Sequence, residues 1–295
     1  VRTALDRRLR FKHLRKSFPK GSDEYRWCDQ RQKALKSILV CIYGFSGCFA
    51  NRFNNVAAYN EINAIARRTL VQTINFCLVR GFEVLYVNTD SIFIKRREAA
   101  REDYEELAKS IEKETGLPIT LDHHFRLIVF MRQRTHRDVE AMNRFYGKLT
   151  NGELYYRGIE LRRRDCPTFL KGFQKRLMDI LFDASDRYEV VERKVSEAKV
   201  FTYNTYRRTL GGEVNPLKLS VTKRVRKEVD AYRSMFPHVV AAKHLSRRGK
   251  KLEEHASVDF VYTNAEHRNP MRRVLPADMM SDERGYYDRE KYGRL

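Results

Sequence analysis

A lone carboxylate in an unusual setting is the first candidate for chemistry. In Val84-Leu85-Tyr86-Val87-Asn88-Thr89-Asp90-Ser91-Ile92-Phe93-Ile94, apolar residues flank a polar centre running from Asn88 to Ser91. Val, Ile, Tyr and Phe on both sides favour extended structure, so two short strands meeting at a polar turn are expected. Such a turn holds Asp90 rigidly at the edge of a sheet, where a carboxylate can ligate a divalent metal ion. Asn88 adds a neutral carbonyl oxygen but no charge against the repulsion between two metals. Asn and Asp are also common turn residues for backbone reasons alone, so an ordinary hairpin stands beside the metal-site reading.

Nucleotidyl transfer needs more than one such group: a carboxylate-clamped metal pair, cations for a triphosphate, and a surface for a nucleic-acid backbone. The sequence supplies candidates in a sensible order. A cationic helix pair comes first, the carboxylate turn second, and a basic strand-and-helix region last. The shortfall is in carboxylates, because the hairpin offers only Asp90. Glu83 is nearby, on a face of the sheet that the sequence does not settle.

The elements that must position these groups follow from composition and pattern. At 295 residues the chain can bury a real core, and 42% hydrophobic residues with 17 Phe and 16 Tyr indicate a folded chain rather than a disordered one. The excess of 59 Lys and Arg over 38 Asp and Glu gives a formal charge of +21, which points to a polyanionic partner, nucleic acid before an acidic membrane surface. The longest apolar run, Ile38 to Phe45, is broken by Gly44 and too short to span a bilayer, so no membrane partner is expected. A basic start without an apolar signal region leads to the expectation of a cytoplasmic, nucleoid-associated protein. Cys28, Cys41, Cys48, Cys77 and Cys166 show no paired spacing, which argues for reduced, mostly buried thiols over a zinc site or disulfide framework. Neighbours on a strand point to opposite faces, so His123-His124 makes a poor chelate.

Leu5 to Lys16 reads as a helix dense in cations, and Pro19-Lys20-Gly21 as the turn that breaks it. A second helix is expected from Asp23 or Glu24 to about Tyr43, with Ala34, Leu35, Ile38, Leu39 and Ile42 as its apolar positions and Gly44 to Gly47 as its end. Solvated charged faces are the plain alternative to a phosphate grip for this pair. A long helix from Val56 to Leu78 carries an apolar stripe through Ile62, Ile65, Thr69 and Thr73 and stops at Gly81. After the hairpin come a helix over 98–114, a strand over 125–131, and an Asn151-Gly152 hairpin joining 145–149 to 153–156. Beyond Pro167 helices are expected over 168–182, 192–208 and 239–248, with a strand over 258–262. The shift in composition near Pro167 marks a domain boundary.

Three segments in order carry a resemblance to family B DNA polymerases of the archaeal replicative kind. Lys36 followed by Tyr43-Gly44 is similar to the family's second polymerase motif, a Lys and then Asn-Ser-x-Tyr-Gly. Tyr86-Val87-Asn88-Thr89-Asp90-Ser91 resembles its third motif, Tyr-x-Asp-Thr-Asp-Ser. Arg157-Gly158-Ile159-Glu160 with Arg163-Arg164-Asp165 is similar to the palm-to-thumb segment, and the likeness continues through Thr222-Lys223, Pro237-His238-Val239 and Tyr287-Asp288.

The resemblance implies an α+β fold: a palm with an antiparallel sheet, a helical fingers hairpin and a mostly helical thumb. It implies fingers over 1–47, palm over 48–165 and a thumb over 166–295 that is truncated at its C-terminus. The implied activity is template-directed addition of a dNTP to a primer 3′-hydroxyl, as the C-terminal part of a split or truncated enzyme. Lys36, Arg8 and Lys12 would bind the incoming triphosphate, and Tyr43 and Gly44 would pack against the minor-groove side of the nascent pair. Asp90 would be a metal ligand, with Asn88 a weak one, in a two-Mg²⁺ site. Thr89, Arg144, Arg157, Arg163, Arg164 and Lys223 would lie along primer-template DNA.

The departures from the pattern are as informative. Asn88 stands where the family has an aspartate, and Val40-Cys41 replaces Asn-Ser. Met142-Asn143 replaces two lysines of a basic segment that continues at Arg144. The first polymerase motif, Asp-x-x-Ser-Leu-Tyr-Pro-Ser, is absent, and its aspartate is the other metal ligand. An upstream chain or segment carrying that motif and the exonuclease is the partner this implies, with a sliding clamp a further one. The alternative is a catalytically inactive paralogue that binds primer-template DNA.

Overall fold

The cationic N-terminus folds as a helical hairpin. In a computed structural model that describes residues 1–280 and 286–295, α1 (Arg2–Leu14) and α2 (Asp23–Ser46) are joined by a short 3₁₀ turn and the Pro19–Gly21 bend. Ser22 caps α2, its hydroxyl accepting from the Tyr25 amide at 3.1 Å, and Asp23 and Glu24 place negative charge in the first turn. Phe11 meets Trp27 edge to face at 5.3 Å, and the Arg31 guanidinium lies 4.4 Å from the Trp27 ring. Asp29 clasps the pair by accepting from Arg15 on α1 while also holding Lys33 and Gln32.

The chain divides into two compact units, Val1–Leu121 and Asp122–Leu295. In the first, α3 (Val56–Val79) leads through Gly81 into β1 (Glu83–Asn88), β2 (Ser91–Lys95) and α4 (Arg101–Thr115). The core beneath the hairpin consists of Cys77, Phe82, Leu107 and Ile111, with Val84 and Ile94 packed against it from the strands. Apolar periodicity locates the buried face of α4 but not that of α2. Leu107, Ala108 and Ile111 are buried on α4, whereas α2 buries Cys28 and Gln32 and exposes Ile38 and Ile42. Ile62 and Ile65 on α3 are likewise exposed in this chain taken alone.

Two boundaries differ from expectation. Gly44 does not end α2, which continues to Ser46 and is capped by Gly47. The stop sits there because a Cβ on Gly47 would lie 2.9 Å from the Tyr59 ring. Helix α4 starts at Arg101, not near residue 98, because Glu98 adopts φ 59° and the Asp103 carboxylate caps the Ala100 amide at 2.8 Å.

The second unit holds two antiparallel sheets. The first is β3 (Phe125–Arg132), β4 (Glu140–Leu149) and β5 (Leu154–Arg157), with Phe130 opposite Phe145 and Tyr146 opposite Tyr156. Helix α5 (Thr168–Phe182) packs on it through Met178 and Phe182, against Leu127, Val129, Tyr146 and Tyr156. A short α6 (Arg187–Glu189) and a π-helical turn over Val190–Lys194 run into α7 (Val195–Leu210). The sequence pattern shows only one strand beyond residue 166, but the region holds three: β6 (Val221–Arg224), β7 (Ser257–Tyr262) and β8 (Val274–Pro276). Helix α8 (Pro237–Arg247) buries Val240, Ala241 and Leu245 against Val221, Phe260 and Val274 of that sheet. The terminal α9 (Arg289–Gly293) anchors through Tyr292, whose hydroxyl oxygen accepts from the Tyr262 amide at 3.0 Å.

Candidate functional site

The β1–β2 turn is as tight as the sequence predicts. Asn88 pairs with Ser91 in register, leaving Thr89 and Asp90 as the two loop residues. Thr89 takes φ 30°, an uncommon conformation for a β-branched residue, and its hydroxyl lies 3.2 Å from the Asn88 amide oxygen. Ser91 donates back to the Asn88 carbonyl at 3.3 Å. Asp90 is thereby presented at the solvent-exposed tip of a register-locked hairpin.

On α1 and α2 the cations sort into two sets. Arg15 and Lys33 are committed to Asp29, whose carboxyl they hold down at about 2. Arg31 is stacked on Trp27. Lys12 and Lys36 are exposed and make no ion pair among the described residues, and the Arg8 Nε is buried without a hydrogen-bond partner there. Arg8, Lys12 and Lys36, the three residues assigned to phosphate on the sequence, are therefore not among those holding the hairpin together.

Tyr43 is built into a small network that the sequence does not announce. Its hydroxyl donates to the Asn63 side chain at 2.6 Å, and its ring stacks on Tyr59 at 4.9 Å. Asn63 in turn donates to the Tyr59 carbonyl at 3.0 Å. The interaction with Tyr59 raises the Tyr43 hydroxyl above its ordinary value. The faint signal was spacing, since Tyr59 and Asn63 sit one turn apart on the next helix.

In the second unit the basic residues surround one carboxylate. Arg163 donates to both oxygens of Asp165, at 3.0 and 2.9 Å, and Lys223 of β6 reaches the same group. These two cations hold the Asp165 carboxyl well below the usual carboxylate range. Arg164 is exposed and makes no ion pair among the described residues. The Arg144 Nε donates to the Gly158 carbonyl at 3.0 Å, and its guanidinium lies 3.5 Å from Glu160. Arg157 is exposed, with its Nε donating to the Tyr155 hydroxyl at 3.0 Å. Two residues join the basic surface that were not assigned to it. Burial, with Lys223 and Arg226 nearby, pushes the His238 imidazole down, which locates Arg226 and His238 beside Lys223.

The donor set does not fit a complete Mg²⁺ pair. Among the described residues no group of three or more His, Cys, Asp or Glu could hold a metal ion. Asp90 with Asn88 is at most one side of such a site. No helix among them is long and apolar enough to cross a membrane.

Residues 1–292 match the model of DNA polymerase family B. DNA polymerase 2 of Aeropyrum pernix is 29% identical over 269 residues, covering 91% of this chain and 31% of that protein. The DNA polymerase of Archaeoglobus fulgidus is 24% identical over 282 residues, covering 96% of this chain and 34% of its own length. Among solved structures, the family B DNA polymerase of Pyrobaculum calidifontis superposes with a TM-score of 0.62 at 26% identity, over 99% of this chain and 35% of that one. The chain thus spans about a third of the length of the proteins it matches.

Proposed function

The chain belongs to DNA polymerase family B, and from that premise we propose that it is the C-terminal polymerizing part of a DNA-directed DNA polymerase. The observation that carries the reading is the hairpin tip. A family match over residues 1–292 coincides with a register-locked two-residue turn that exposes Asp90 where a metal-binding carboxylate belongs. In this reading 1–47 are the fingers, 48–165 the palm and 166–295 the thumb.

Roles follow from which groups are uncommitted. Lys36, Lys12 and Arg8 face the triphosphate, where fixed positive charge stabilises the developing charge of pyrophosphate without reorganising at the moment of reaction. Tyr43, clamped by Asn63 and Tyr59, is held rigid against the nascent base pair with Gly44 beside it. Thr89, Arg144, Arg157, Arg164 and the Arg163–Lys223 pair line the duplex, positioning it by its phosphates. Mg²⁺ would bind Asp90 together with a carboxylate from a segment outside this chain.

The test is primer extension by this chain mixed with an upstream segment carrying Asp-x-x-Ser-Leu-Tyr-Pro-Ser. Extension that disappears in Asp90→Ala is the expected result, and equal extension with and without Asp90 refutes the role. One observation favours a second reading, a binding module without catalysis: Asn88 stands where the family motif has an aspartate. That reading predicts salt-sensitive primer-template binding with no extension in any mixture.

A further inference from the structure

Between Lys36 and Glu61 the only charged side chain is Arg52, in a chain that is otherwise 33% charged. Arg52 sits in the loop joining α2 to α3, between Phe49 and Phe53, which are 85% and 79% exposed. Rings left in water forgo the burial that ordinarily favours folding. A floppy loop would explain them trivially, but this one is braced throughout. The Asn51 amide donates to the Cys48 carbonyl at 2.9 Å, and the Asn51 side chain accepts from the Phe53 amide at 2.9 Å. Asn54 donates through its side chain to the Phe49 carbonyl at 2.6 Å. The Asn55 amide closes the loop onto Ser46 at 2.9 Å, and its side chain caps α3 through the Ala58 amide at 3.0 Å. The three asparagines are thus occupied in holding the backbone. The loop presents outward two aromatic rings and one guanidinium, which lies 5.9 Å from the Phe53 ring.

We propose that Phe49 and Phe53 form a stacking platform for unpaired bases of single-stranded DNA, with Arg52 meeting the adjoining phosphate. This rests on the polymerase reading above. Every base has a π-face, so aromatic rings bind single strands without regard to sequence, and a cation without neighbouring carboxylates suits the phosphate between them. Position supports the same occupant. Tyr43 and Gly44 lie one helical turn before the loop, and the Asn55–Ser46 bond fixes the loop to the end of that helix. If Tyr43 and Gly44 face the nascent base pair, the next, still unpaired, template base falls on the loop side.

The test measures anisotropy of labelled hairpin DNAs with the 295-residue chain: a blunt duplex, the same duplex with a six-nucleotide 5′ overhang, and that overhang made abasic. The wild-type chain should bind the overhang tighter than the blunt end by roughly 5- to 100-fold, and the abasic overhang should lose that gain. Phe49→Ala with Phe53→Ala should abolish the gain and leave blunt-end affinity within about twofold, while Phe49→Trp with Phe53→Trp should keep it. Both rings are exposed, and a matching thermal melt confirms the fold of each variant. Equal affinity for natural and abasic overhangs overturns the proposal. So does an alanine variant that weakens blunt and overhang binding alike, or one that alters only self-association, which would assign the rings to a protein interface. Failure of the wild-type chain to bind even the blunt duplex contradicts the polymerase reading itself. Blunt-end binding without an overhang gain removes only the platform.

Discussion

Asp165 is where charge counting gives the sharpest prediction about the basic surface. Arg163 and Lys223 both donate to it, so the three side chains together carry about one net positive charge rather than two. Arg164 makes no ion pair among the described residues and contributes its full charge. Each phosphate neutralised by a cation steepens the dependence of log K on log salt by about 0.9, a factor of about 3.5 in affinity between 50 and 200 mM salt. Arg164→Ala should therefore flatten the slope by about 0.9, equally for all DNA sequences. Asp165→Asn should steepen it by up to about 0.9, because it releases one unit of positive charge. The double variant should return close to wild type. Arg163 and Lys223 are 59% and 45% exposed, so each ion pair contributes no more than about 1 kcal/mol to stability and the variants should stay folded. The assay is anisotropy of a labelled primer-template at four salt concentrations, with melting curves as a control. A slope unchanged in Arg164→Ala, or flattened in Asp165→Asn, would refute the placement of this cluster against phosphates.

The other predictions concern the scaffold. Gly158 has φ 65°, and a Cβ there would lie 2.2 Å from the Asn143 carbonyl oxygen, so Gly158→Ala should destabilise by more than about 2 kcal/mol, seen as a lowered melting temperature. Phe182 is 1% exposed, and Phe182→Ala should cost about 3–5 kcal/mol, a drop of roughly 6–20 °C for a unit of this size. Asp29 is held at about 2 by Lys33 and Arg15, so its stabilisation of the α1–α2 clasp is present above the usual carboxylate value near ~4 and lost as pH falls through about 2. Trp27, the single tryptophan, should report this as an emission change between about pH 4 and pH 2 that Asp29→Asn shifts or removes. A titration identical in wild type and Asp29→Asn would contradict it.

Local pattern was enough where local physics decides. The bounds expected for α5 are those observed, since Pro167 fixes its start and the run to Phe182 is uniformly amphipathic. The Asn151-Gly152 turn appears as expected, with Gly152 at φ 87°. Strands β6 and β8 escaped because four and three residues are too short for alternation to register, and Lys223 and Arg224 make β6 read as a charged loop. The end of α2 was misplaced because a mid-helix glycine is only mildly unfavourable, and Tyr59, on the next helix, sets the true limit. Periodicity found apolar faces on α2 and α3 but cannot say what covers them. Ile38 and Ile65 are about half exposed in a chain spanning a third of its relatives' length. Motif spacing identified Lys36, Tyr43 and Asp90. It did not disclose that Arg163 and Lys223 share Asp165, because the Asp165–Lys223 contact joins residues 58 apart.

The hairpin tip ties these strands together. A β-branched residue at φ 30° is held there by its surroundings rather than by preference. Those surroundings are identifiable: the Asn88–Ser91 register on one side, and Val84 and Ile94 seated on Phe82 and Leu107 on the other. A simple hairpin would relieve the turn with Asn-Gly, as the chain itself does at Asn151-Gly152. Keeping Thr-Asp at the first turn and Asn-Gly at the second separates a turn built to aim a carboxylate from one built only to reverse the chain. The position of Asp90 is fixed by this chain, and what completes a metal site around it must come from residues that the chain does not contain.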